Sequence, residues 1–127
     1  MAVAVHDTLT EVDRVSAATV EVYTRRRDLA TEMPLAELLE VPKGVGSLRA
    51  VVAAADRTIE IIVDDGVDAA SLAPGLWSLA AEGWQPVVLI AVDRIGEAHA
   101  DLRGAPCRLQ PWWMIEDQVV FGSFETP

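Results

Sequence analysis

The run Pro86-Val87-Val88-Leu89-Ile90-Ala91-Val92 contains no polar side chain. A strand with one solvated face alternates apolar and polar residues. An unbroken apolar run therefore predicts a strand buried on both faces, as at the centre of a parallel sheet. It is far too short to cross a bilayer.

The segments around it fit an α/β alternation. Thr58-Ile59-Glu60-Ile61-Ile62-Val63 reads as a strand, broken by Asp64-Asp65-Gly66. Leu72, Leu76, Leu79 and Ala80 share one face of a helix that starts near Ala73 and ends at Glu82. Gly83 suits the left-handed residue after the helix, and Trp84 is placed to pack back on Leu79. A short helix over 94–103 follows, with Asp93 as its cap and Gly104 as its stop. Cys107–Gln110 begins another strand, and Val119–Phe124 returns after the Glu116-Asp117-Gln118 turn.

The predicted order is a parallel βαβαβ core, right-handed by rule, with an antiparallel C-terminal edge hairpin. Leu48–Ala54 reads as a further strand forming a hairpin with 58–63, although its alanines also suit a helix. Residues 8–30 read as one amphipathic helix with Thr8 and Glu11 at capping-box spacing. Thr19–Thr24 within it is β-branched and alternates, so strand stays open there. Pro34–Glu40 reads as a second short helix that Pro42 stops. The expectation is one α/β domain over 1–127, with a small mixed sheet. Its N-terminal part, 1–41, is helical and packs on one face of an α/β core over 47–127.

Charge narrows the partners. Twenty acids against ten bases leave −10. Residues 64–127 hold ten of the acids and three of the bases. Such a surface repels phosphate backbones and anionic bilayers, so neither duplex nucleic acid nor membrane is an expected partner. Lys43 is the only lysine, which removes lysine-dependent chemistry elsewhere in the chain. Cys107 is the only cysteine, so no intrachain disulfide or thiolate zinc cluster forms. The N-terminal stub lacks a basic segment and a long apolar run. A cytoplasmic location is expected.

Ligands of open α/β sheets bind beyond the carboxyl ends of the strands. Asp64 and Asp65 follow one predicted strand and Asp93 follows the next. Were those strands neighbours, the three carboxylates would converge as hard oxygen ligands for Mg²⁺. The competing reading makes them helix caps. Glu60 and Asp64, four apart on a strand, share a face and faintly suggest a nuclease pair, without the lysine such a site needs.

His99 lies on the apolar stripe of its helix, where a half-buried histidine with one polar partner competes with a general base. Cys107, eight residues on, would pair with it only in an electropositive setting. Lys43–Ser47 lacks the order of a phosphate loop and reads as a connection. Arg25, Arg26 and Arg27 sit at a helix end, opposing its negative pole or meeting an acidic partner. Trp112 and Trp113 point to opposite faces of a strand, either as core or as a partner surface.

Two functions follow as expectations. The first is a non-catalytic interaction or regulatory module, without a cofactor, acting through self-association as a homodimer and through a protein partner. The alternative is a small Mg-dependent hydrolase or phosphotransfer enzyme using Asp64, Asp65 and Asp93. A ligand sensor using the same crevice is a weaker third.

Overall fold

A computed structural model describes residues 10–38 and 48–127. Thr8, Leu9, Glu40 and the Lys43–Ser47 loop lie outside the described residues.

The chain is mixed α/β. Six strands form one curled sheet: β1 (Thr31–Pro34), β2 (Arg49–Ala53), β3 (Thr58–Ile62), β4 (Gln85–Ala91), β5 (Arg108–Ile115) and β6 (Gln118–Phe121). Their order across the sheet is their order along the chain. β3 pairs with β4, and β4 with β5, in parallel. The other three pairs are antiparallel. Among the described residues the α-helices are α1 (Glu11–Arg25), α2 (Ala73–Ala81) and α3 (Ile95–Asp101). Among the described residues, no helix is long and apolar enough to cross a membrane.

β4 is apolar after Gln85 because it has a core on each side. Val87 and Leu89 join the cluster beneath α1, with Val12, Val15, Tyr23, Ile62 and Trp112. Val88 and Ile90 join the other cluster, with Leu76 and Leu79 of α2 and Ala98 of α3.

α1 starts later than the sequence suggests. Thr10 is the cap, and the Thr10 and Asp13 side chains each accept the other's backbone N–H at 3.1 Å. The β-branched stretch stays helical. The Thr19 hydroxyl donates to the Val15 carbonyl (2.8 Å) and Thr24 to Val20 (3.0 Å), while burial of Thr19 and Tyr23 sets the conformation. Buried Ser16 donates to Glu32 (2.5 Å), and Glu32 accepts from Arg49 (2.8 Å). This network ties α1 to β1 and β2.

The second N-terminal helix is not formed over the described part of Pro34–Glu40. Thr31–Pro34 is edge strand β1, and Leu35–Glu37 is a single 3-10 turn. Leu35 is buried, as helical spacing would require, but proline favours extended backbone and β2 supplies a partner. Residues 49–53, left open between strand and helix, are β2.

The end of α2 matches its sequence signal. Gly83 has φ +88, its N–H reaches Ala80 (3.0 Å), and the Trp84 N–H reaches Leu79 (3.1 Å). α1 ends in the same motif, with Arg27 N–H on Thr24 (3.0 Å) and Asp28 N–H on Tyr23 (2.9 Å). There Arg27, at φ +62, takes the glycine position.

Candidate functional site

Both ends of the parallel strands carry polar groups, and they differ in character. At the carboxyl ends, Asp64, Asp65 and Asp93 are all exposed. Asp64 accepts the N–H of Asp65 (2.8 Å). Asp93 lies inside a 3-10 turn, Val92–Arg94, and does not cap α3, whose N-cap is Arg94 without a side-chain bond. Asp68 is the capping aspartate in this region, accepting from Ala70 N–H (3.1 Å).

Arg94 occupies the space between the loops. Its guanidinium donates to the carbonyls of Asp64 (3.2 Å) and Val67 (2.6 Å) and pairs with Glu97 (3.3 Å). Among the described residues, the one acidic triad with ligand atoms within 4.8 Å of one another is Asp68, Glu97 and Asp101, all exposed. Asp68 is engaged as a cap and Glu97 by Arg94. A carboxyl-end crevice opens where strand order reverses and helices diverge to opposite faces. Here the order never reverses.

The amino ends hold a more unusual arrangement. Glu60 lies mid-strand in β3 and is only 6% exposed. It borders two adjoining cavities of about 350 and 90 Å³ under the C-terminal end of α1. Tyr23 and Arg26 of α1, Thr58, Gln85 and Arg108 at the strand starts, and Phe124 complete the larger one. The register places Glu60 beside Val87, and Val87 beside Arg108.

Burial raises the Glu60 carboxyl above its ordinary range, and the facing Tyr23 hydroxyl with the Arg26 and Arg108 charges only partly offsets this. Burial likewise raises the Tyr23 phenol, helped by the Glu60 carboxylate. The Arg26 guanidinium carbon lies 6.0 Å from the Tyr23 ring centroid, and that of Arg108 lies 4.2 Å from the Phe124 ring centroid. Displaced titrations inside a concave, mixed-charge setting are a mark of binding and catalytic sites. Glu60 and Asp64 do not act as a pair, because β3 ends at Ile62 and Asp64 turns out to solvent.

His99 is half-buried and its Nε2 sits 2.7 Å from Glu125, tethering the C-terminal segment to α3. Cys107 is partly buried, and burial pushes its thiol up to about 11. Arg25 pairs with Glu21 (2.6 Å), Arg26 faces the Glu60 cavity, and Arg27 lies beyond the helix. Trp112 is buried at 5% exposure beneath α1, and among the described residues its indole Nε1 has no hydrogen-bond acceptor.

Trp113 points to the opposite face from Trp112 and remains partly exposed beside Val120 and Ile115, the last 55% exposed. None of these three joins the cluster under α2 and α3. Gly122 permits this packing, since a Cβ there would sit 2.8 Å from Pro111 Cγ and 3.2 Å from the Trp113 ring.

The sequence signal for the amino-end site is a single acid inside an apolar strand, Ile59-Glu60-Ile61. Of its partners, Arg26 belongs to the basic cluster visible in the sequence, whereas Tyr23 and Arg108 carry no local mark. Comparison with protein-family models, curated proteins and solved structures finds no match.

Proposed function

We propose that this chain is a non-catalytic interaction module that self-associates through β6 and the uncovered face of the β5–β6 hairpin. The reading includes a parallel βαβαβ core, β3–α2–β4–α3–β5, as the rigid frame that presents this edge.

One observation carries it. The two edge strands are guarded differently. β1 contains Glu32 and Pro34, which discourage strand addition. β6, Gln118-Val119-Val120-Phe121, contains neither charge nor proline. No described strand lies beyond it. Trp113, Ile115 and Val120 supply an apolar patch on one side of that edge. On the other side a groove of about 610 Å³ runs between α1 and β6. Its walls bear both signs of charge, with Asp13, Glu21 and Asp117 set among Arg14 and Arg25. A two-fold interface needs such self-complementarity, because each patch meets its own copy.

The Mg-dependent reading at Asp64, Asp65 and Asp93 has weaker support, since all three are solvated and Arg94 fills the space between the loops.

Sedimentation equilibrium of the full chain tests the proposal. The wild type is expected to dimerise at micromolar concentration, and Val120→Lys to be monomeric with an unchanged circular dichroism spectrum. A monomeric wild type, or a Val120→Lys dimer of equal strength, overturns it.

A further inference from the structure

The cavity above Glu60 gathers hydrogen-bonding capacity that the protein does not use. A carboxylate has about four acceptor positions. Among the described residues, the almost wholly buried Glu60 faces one side-chain hydroxyl donor, that of Tyr23. Arg26 and Arg108 stand over aromatic rings, and among the described residues neither guanidinium has a hydrogen-bonded or ion-paired acceptor. Gln85 and Thr58 add neutral polar groups to the same wall.

The ligand class follows by elimination. A simple anion would satisfy the guanidiniums but meet the Glu60 carboxylate. A simple cation would satisfy Glu60 but leave both arginines idle. A molecule with both charges answers all three groups. The volume of about 350 Å³ is at the lower end of small-molecule sites, so the ligand is small.

We propose that this cavity binds a small amphoteric ligand of the α-amino-acid class, with its ammonium group on Glu60 and its carboxylate toward Arg26 and Arg108. Arginine suits the carboxylate end because its planar fork matches two oxygens. Binding weakens as pH falls, because protonation of Glu60 removes the charge that holds the ammonium. The charged and titratable groups around Glu60 are Tyr23 and Arg26 from α1, Arg108 from β5, and Asp56 from the turn before β3.

The experiment is isothermal titration of the full chain with the common L-α-amino acids, each beside its N-acetyl and its carboxamide derivative. At least one parent amino acid is expected to bind. Blocking either of its charged groups weakens it roughly tenfold to hundredfold, the scale of a lost charge-assisted contact. Glu60→Gln and Arg108→Met do the same without altering the circular dichroism spectrum. Should Glu60→Gln fold poorly, Arg26→Gln and Arg108→Met carry the test at the exposed rim. The proposal is overturned if no amino acid binds the wild type. It is equally overturned if the N-acetyl form binds as tightly as its parent, which would indicate a plain anion site. Retained affinity in both arginine variants also overturns it.

Discussion

The Arg57 guanidinium lies over the Trp84 indole, 4.2 Å from its centroid. The two residues clamp the starts of β3 and β4. Arg57 Nη2 also donates to the Glu82 carbonyl (2.5 Å), and the Arg57 carbonyl accepts from Gln85 N–H (2.7 Å). Arg57→Ala removes the stacking and the side-chain hydrogen bond and is expected to cost about 1–2 kcal/mol. Arg57→Lys recovers only part, because an ammonium lacks the planar stack. Urea unfolding of the two variants gives the comparison.

Arg27 and Gly83 occupy equivalent positions after α1 and α2, both with positive φ. A side chain there is strained and glycine is not. Arg27→Gly should therefore stabilise the chain by about 0.5–1 kcal/mol, and Gly83→Ala should destabilise it by about 1 kcal/mol. Thermal unfolding of each variant would show opposite shifts, and shifts of one sign would contradict the cap assignment.

Glu60 makes stability depend on pH. An acid whose pKa is raised on folding holds its proton more tightly in the native state. Its contribution is complete below the ordinary value of 4.5 and is lost as pH rises through the folded value. As pH rises from the ordinary 4.5 through the raised folded value, wild-type stability should lose a component that Glu60→Gln keeps constant. Parallel pH profiles for the two proteins would remove the burial effect assigned to Glu60.

Cys107 should be slow to react. The thiolate is the nucleophile, and a thiol at about 11 is ionised in about one molecule in a thousand at pH 8. Unfolding returns it toward its ordinary 9.0. Iodoacetamide alkylation at pH 8 should be roughly hundredfold slower in the native chain than in urea. Equal rates would place the thiol in a different environment.

Mg²⁺ at millimolar concentration should shift the unfolding midpoint of the wild type no more than that of the Asp64→Asn, Asp93→Asn double variant. A ligand that binds the native state raises the midpoint by mass action. A rise in the wild type that the double variant loses would restore the metal-centred reading.

The elements legible in the sequence are those whose signal is local. β4 announces itself by its apolar run, and the end of α2 by Gly83 and Trp84. β1 was hidden, because Thr31-Glu32-Met33-Pro34 is an exposed edge with no alternation and owes its form to β2. Thr10 caps α1: it stands three residues before Asp13 as Thr8 stands three before Glu11, and Asp13 closes the box as glutamate does. The acids at the strand ends were conspicuous, yet the strand order that would gather them into a crevice is a property of the whole sheet. Glu60 was conspicuous too. What turns it into a candidate site is Tyr23, thirty-seven positions earlier, and Arg108, forty-eight later, which only the packing of α1 over β3 and β5 brings together.

Strand order that equals chain order has a consequence for how the molecule is built. Each new strand needs only the one made just before it, so the sheet lengthens from one side as synthesis proceeds. No segment has to be held open for a later insertion, and no earlier pairing has to be undone. The loop-closure cost is met in short instalments, which favours quick assembly and brief exposure of sticky intermediates. Of the described strands β6 is the last in chain order, so the uncharged edge is the one added after the rest of the sheet is in place.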